Sequence, residues 1–561
     1  MFLIFGGLFQ LLFWGAVIFG IVKLVQGAGS RSEDAPMTVK RLFVFGSLYA
    51  ALHVAAWGVA GLIAALGEDA ADRGEQAAAP LAMTVVGLPV LLLLARWVWR
   101  SLPEFRDRGA AFSLYLNLSL VTALVVVMVA AVAVADWLVG GASYSGIAVG
   151  ALTVWAPIWV VHWRLFRTEQ TSVSNFHVYV GATAGLATMA GFGGALLGRL
   201  LTRLLDSGTD VALTSRTHAD VATWLVGFAV GAAVFAWYWI QTGMREPRDT
   251  LWHTYVVLIG VLGGLITAVT GAAISLYSLL QWWFGESDYS SAVRHFDTYL
   301  VPAGGALVVG LIVWLYHRRV LGPVRGDRTD VHRVYDYVVA AVGLVTAVVG
   351  VIILVIGFQE AVFPPDDSRA SEANMLLGAV TALAVGVPLW AQAWRRINHA
   401  RRTDDTAEVA SPVRRSYLFG LVGVSGVIGL VSLIILLVVV FGDLLGEGGD
   451  PLRNDVQIPI ALLFATGVVA VYHFLLVREE RDVETAREHP KHVMLVTGHD
   501  ELAAAVRELT GARVTLLHRL DTNGEADDPA VVAAAIESSE YDDLLVVPGP
   551  TGAVEVIPYR R

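Results

Sequence analysis

Residues 110–167 read AAFSLYLNLSLVTALVVVMVAAVAVADWLVGGASYSGIAVGALTVWAPIWVVHWRLFR. From Ala111 to Ala135 there is no Asp, Glu, Lys or Arg. After a short Gly-rich break, a second apolar run ends on Trp163-Arg164 and Arg167. A helix apolar on every side needs an apolar environment. Runs of roughly 20 residues are long enough to cross a hydrocarbon core about 30 Å thick. The stretch therefore predicts two membrane spans joined as a hairpin.

The rest of the chain repeats this pattern. Of its 561 residues, 56% are hydrophobic and only 16% are charged, against about a quarter in a soluble domain. The charges cluster between the apolar runs. One lead helix is expected at residues 2–26, in a segment 1–38. It is too long, and lacks the small-residue site, for a cleaved signal. Six hairpins follow at 39–107, 108–170, 171–249, 250–327, 328–403 and 411–477. The expected fold is an all-α polytopic membrane bundle of about thirteen transmembrane helices. A charged linker at 478–490 leads to a small α/β domain at 491–561, with strand and helix order βαβαββ.

The hairpins share residues as well as hydropathy, at a period of roughly 65–80 residues. First helices open with an aromatic residue three before a tyrosine: Phe112 and Tyr115, Phe176 and Tyr179, Trp252 and Tyr255. The fifth hairpin has Val334 and Tyr337, the sixth has Arg414 and Tyr417, and the first keeps Phe43 at the Tyr position. Six residues after that position stand Gly185, Gly343 and Gly423. Second helices close on Pro157-Ile-Trp159-Val-Val-His162-Trp163-Arg164 and Pro388-Leu-Trp390-Ala-Gln-Ala-Trp394-Arg395. Shorter copies are Trp97-Val-Trp99-Arg100, Trp237-Tyr238-Trp239, Trp314-Leu-Tyr316-His317-Arg318 and Tyr472-His473-Phe474. On these residues the chain resembles an uncharacterised family of bacterial multi-pass membrane proteins, a domain of unknown function built from repeated four-helix units. The resemblance would cover Val39 to Val477 as three tandem units. It implies no activity, and the first and sixth hairpins depart most from the pattern.

Charge sets an expected orientation. Loops entering the first helices carry about 23 Lys and Arg and the opposite loops about seven, and basic short loops stay in the cytoplasm. The N-terminus is then outside, the C-terminal domain cytoplasmic, and the protein sits in the plasma (inner) membrane. Glycines four apart, as in Gly181 with Gly185, Gly194 with Gly198 and Gly260 with Gly264, predict close helix packing. Pro157 and Pro388 predict kinks.

Few residues suggest chemistry. Charged groups are nearly absent from the middle of the spans, which disfavours a proton-coupled carrier. The chain has no cysteine, so disulfides, thiolate metal sites and Cys nucleophiles are excluded. A net charge of -10 argues against nucleic acid as a partner. His53 falls near mid-bilayer. With Asn117 and Gln392 it forms the candidate intramembrane polar set, and Gln241, Thr270 and Ser425 are further polar residues in or near spans. His177 and His253 begin first helices; His162, His317 and His473 end second helices. Beside Trp163, Tyr179 and Tyr255, these histidines read as interfacial anchors, the alternative being axial haem ligands. In the soluble domain, Thr497-Gly498-His499-Asp500-Glu501 enters a helix but carries acid where a phosphate would bind.

The expectation is a non-enzymatic scaffold or sensor, with no catalytic residue, metal or cofactor. Its expected partners are membrane lipids and other membrane or cytosolic proteins. The alternatives are a channel or carrier for a small neutral or apolar solute, lined by His53, Asn117 and Gln392, and a haem-binding electron carrier.

Overall fold

A computed structural model describes residues 35–67, 69, 73–100, 110–168, 175–205, 215–322, 329–362, 372–403, 408–409, 411–445, 452–485, 492–519, 528–539, 541, 543–549 and 553–559. The lead helix expected at 2–26 lies outside these residues. Among them, 12 helices are long and apolar enough to cross a membrane. Two compact units divide the chain, residues 1–397 with 450–461, and residues 398–449 with 462–561.

In the first unit the hairpins are α1 (Ala35–Ala65) with α2 (Arg73–Arg100), α3 (Ala110–Leu138) with α4 (Gly146–Thr168), and α5 (Phe176–Leu205) with α6 (Ser215–Phe235). They are followed by α7 (Thr250–Phe284), a short α8 (Ala292–Thr298), α9 (Leu300–Leu321), α10 (Asp330–Val362) and α11 (Glu372–Thr403). Through the first four hairpins the closest packing is within each hairpin, and each also packs on the next through α1–α4, α3–α6 and α5–α9. Several first helices are long: α5 has 30 residues, α7 has 35, and α10 has 33.

Glycine sets the spacing between these helices. A Cβ at Gly185 would lie 2.5 Å from the Phe235 nitrogen, and one at Gly264 would lie 2.6 Å from the Trp314 nitrogen. Gly343 on α10 and Gly386 on α11 are reciprocal, each facing backbone of the other helix. Only a residue without a side chain lets two helix backbones approach so closely.

The helices run on as α-helix through Pro157 and Pro388. Their irregular turns lie elsewhere. Ala236–Thr242, continuing α6, and Tyr255–Gly263, inside α7, are π-helical, each wider by one residue per turn than an α-helix.

The second unit holds α12 (Pro412–Leu444), most of α13 (Leu452–Thr485) and the C-terminal domain. There β1 (His492–Thr497), β2 (Arg513–His518), β3 (Asp543–Pro548) and β4 (Val554–Pro558) form one sheet in the order β2-β1-β3-β4. β1 runs parallel to β2 and β3, and β4 is antiparallel to β3. α14 (Asp500–Thr510) and α15 (Pro529–Glu537) pack on each other and on one face of the sheet. That face buries Val493, Leu495, Val514, Leu544 and Val546. Asp528 caps α15 by accepting from the Ala530 N–H, and Gly511 ends α14 in the left-handed region at φ 66°. Asp500 is the first helical residue of α14 and His499 the cap. Leu502 and Val506 are buried but Leu509 is exposed, because it lies in the last turn, where Gly511 reverses the chain. On the opposite sheet face Met494, Val496, Leu545 and Val547 are half-buried, and Leu517 and Ile557 are exposed.

Candidate functional site

The densest cluster of polar and aromatic side chains lies where α4, α5, α6, α7 and α9 meet. Trp163, Tyr179, Tyr238, Trp239, Trp252 and Tyr255 are all buried in one core. Their polar atoms are used between helices. Trp159 Nε1 donates to the Tyr238 hydroxyl at 2.7 Å, and Trp239 Nε1 to the Tyr316 hydroxyl at 3.0 Å. In a medium where apolar contact gives helices no preference for one another, such bonds help select the neighbour.

The histidines share one local device. His53, His162, His253, His317 and His473 each place Nδ1 2.8–2.9 Å from the carbonyl oxygen four residues earlier. A carbonyl oxygen only accepts, so in each ring Nδ1 carries the proton, and Nε2 presents a lone pair in the neutral tautomer. A helical histidine satisfied in this way can be buried uncharged.

Tertiary packing adds a pairing that recurs. The repeat-position tyrosine of a first helix meets the histidine of its second helix in hairpins two, four and six. Ring centroids are 5.6 Å apart for Tyr115 and His162, 5.8 Å for Tyr255 and His317, and 6.0 Å for Tyr417 and His473. Tyr115 also bonds His162 Nε2 at 2.9 Å.

The residues expected as interfacial anchors lie within the helix packing. His162, His177, His317 and His473 are all buried, as are Trp163, Tyr179 and Tyr255; His253 alone among the five histidines is half-buried. His162, His317 and His473 are covered by the tyrosine of their own hairpin, and His177 by Asn117, Trp163 and Phe166 of the preceding one. The three members of the expected polar set do not come together. His53 packs on Tyr49 and, edge-on, on Trp155 at 5.1 Å. Asn117 is buried and engaged with His177, accepting from its backbone N–H at 3.0 Å and its Nδ1–H at 2.8 Å. Gln392 is exposed on α11. Among the described residues, no group of three or more His, Asp or Glu could hold a metal ion.

Asn117 thus acts as a cap supplied by another helix. The first N–H groups of α5 have no partner within that helix, and α3 provides one. Replacing Asn117 by Ala is expected to destabilise the folded chain by about 1–3 kcal/mol, the cost of leaving buried donors unbonded. Thermal unfolding of the purified chain in detergent measures it, and an unchanged midpoint would refute the capping role.

Sequence reasoning missed an ionic cluster in the second unit. Arg414 is fully buried and donates from Nε to both Glu480 carboxylate oxygens, at 2.9 and 3.1 Å, and from Nη2 as well. Arg401 lies 3.9 Å from the same carboxylate, and Glu408 is also buried. A signal was present. Arg414 stands three before Tyr417, where α5 and α7 bury Phe176 and Trp252, so an arginine there requires a carboxylate. His295 was missed too. It is fully buried near the start of α9, with Ser287 Oγ at 2.9 Å from Nδ1 and the Ser278 carbonyl at 2.9 Å from Nε2.

No curated protein and no solved structure matches the chain. A family model, described as a domain of unknown function (DUF5671), matches residues 41–144, 175–305 and 333–469. Each match begins close to the start of a first helix, at α1, α5 and α10, in keeping with three tandem units. The matches cover more than half of the chain, which therefore belongs to the DUF5671 family.

Proposed function

We propose that this protein is a non-enzymatic membrane scaffold or sensor, in which the helix bundle holds a cytosolic α/β domain on its last helix. The observation that carries the reading is where the polar groups of the spans are used. Asn117 with His177, Tyr115 with His162, Trp159 with Tyr238, Trp239 with Tyr316, and Tyr49 with Thr122 all join one helix to another. A solute path needs such groups facing a shared lumen. The exposed apolar side chains along the helices suit contact with lipid. In the C-terminal domain the sheet face opposite α14 and α15, with Leu517 and Ile557 exposed, suits a protein partner. α13 passes from the span Asp455–Glu480 directly on to Thr485, a short physical route between membrane and domain.

The basic loops put that domain in the cytoplasm of a cell whose plasma membrane holds the bundle. A tag after Arg561 is expected to resist external protease in intact cells, and tags near Asp69 and Asp367 to be cut. The opposite pattern would invert the topology. For function, proteoliposomes of the purified chain are expected to pass neutral solutes no faster than protein-free vesicles. A protein-dependent flux would overturn the scaffold reading in favour of a channel or carrier, and a Soret band would favour a haem carrier. A photoreactive residue at Leu517 is expected to form a discrete protein adduct in cells, and one at Glu508, on the helix side of the domain, none.

A further inference from the structure

Tyr255 and His317 repeat the pair made by Tyr115 and His162, with one difference. In hairpin two the tyrosine hydroxyl donates to histidine Nε2. In hairpin four the rings are as close, at 5.8 Å, yet neither the Tyr255 hydroxyl nor His317 Nε2 has a hydrogen-bond partner among the described residues. Both residues are buried, Tyr255 at 2% exposure and His317 at 0%. His317 Nδ1–H is bonded to the Val313 carbonyl at 2.9 Å, so Nε2 is an acceptor. The tyrosine hydroxyl can donate and accept. The two groups are complementary as donor and acceptor, and the rings that carry them are neighbours.

Tyr255–Gly263 is π-helical, whereas Tyr115 stands in regular α-helix. The facing segment Ala236–Thr242 is π-helical as well. It brings the Trp239 ring within 4.5 Å of Tyr255 and 5.9 Å of His317. Gly260, within the Tyr255–Gly263 segment, lies directly under the His317 ring, where any side chain would collide with it. Trp252 adds a third buried polar atom without a partner, its indole Nε1, and its ring lies 6.0 Å from Trp239. Burying such groups unbonded is unfavourable, and irregular π turns often mark functional places in helices.

The geometry points to a binding site, between Tyr255 and His317, for one small uncharged molecule that donates a hydrogen bond to His317 Nε2 and accepts one from the Tyr255 hydroxyl. Water and short alcohols share this chemistry. Asp249 is engaged in capping the Trp252 backbone N–H at 2.9 Å, and Arg248 already lies over the Trp252 ring at 5.0 Å. An anion would face the Nε2 lone pair.

Thermal unfolding of the full chain in detergent tests this, with Tyr115→Phe as the reference for a direct bond. If a molecule bridges the pair, Tyr255→Phe lowers the midpoint as Tyr115→Phe does, by about 1–2 °C. If the hydroxyl is unbonded, Tyr255→Phe removes a buried orphan and raises the midpoint or leaves it unchanged, which overturns the proposal. The ¹⁵N resonance of His317 gives a second readout, because Nε2 shifts when it accepts a hydrogen bond. A shift that persists in wild type and is lost in Tyr255→Phe supports the site, and a free-acceptor resonance in wild type overturns it. Added ethanol separates the sources: a wider gap between wild type and Tyr255→Phe identifies an alcohol, and an unaffected gap identifies water.

Discussion

Replacing Glu480 by Ala is expected to cost about 3–5 kcal/mol of stability, because it removes the carboxylate from a fully buried arginine. Arg414 has no exposed side-chain surface, and the Glu480 side chain has 10%. A guanidinium in that position cannot recover water, so the loss far exceeds the value of a surface ion pair, about 0–1 kcal/mol. The pair itself need not be stabilising. Replacing both residues by Met removes two desolvation costs with one attraction, and the double variant is expected to be near wild type or above it. Unfolding of the three proteins in detergent measures the difference. If Glu480→Ala alone unfolds at the wild-type midpoint, Arg414 is hydrated in the native state and the buried pair is refuted.

The second large effect is expected at the crossing of α10 and α11. A side chain at Gly386 would run into backbone of α10, with the Gly343 carbonyl oxygen 2.9 Å from its Cβ. Backbone of a packed helix cannot yield as a flexible side chain can. Gly386→Leu is therefore expected to cost more than about 3 kcal/mol through overpacking. Gly423→Leu is the control. It occupies the same repeat position as Gly343, six residues after the tyrosine, but an added Cβ there meets no described atom within 4 Å. It is expected to unfold like wild type. Equal losses at the two sites would mean that glycine acts through helix propensity rather than close approach.

The contrast between Gly343 and Gly423 shows how far repeat logic reaches. Both positions follow from one alignment of the hairpins, and sequence alone treats them alike. One carries a helix crossing and the other faces open space. The same holds for Tyr115 and Tyr255, equivalent by sequence, yet only Tyr115 is bonded to its histidine. Arg414 is the reverse case. Its departure from an aromatic position was visible in the sequence, but its meaning needed Glu480, 66 residues away, to be seen beside it.

The opening stretch from Ala110 to Arg167 determined what kind of molecule this is. Uncharged runs of that length admit few folds, since every backbone N–H and C=O must be satisfied within the segment where water is absent. Spans, hairpin repeats and the α/β tail follow from length, charge and turn residues, all local properties. Which side of each helix faces protein was decided only by the tertiary structure. In water, a buried face is apolar and a solvated one polar, so periodicity reveals the core. In a membrane, lipid and protein neighbours are both apolar, and that signal vanishes. His162, His177 and His317 therefore read as interfacial rings from sequence, and only the tertiary structure shows them buried.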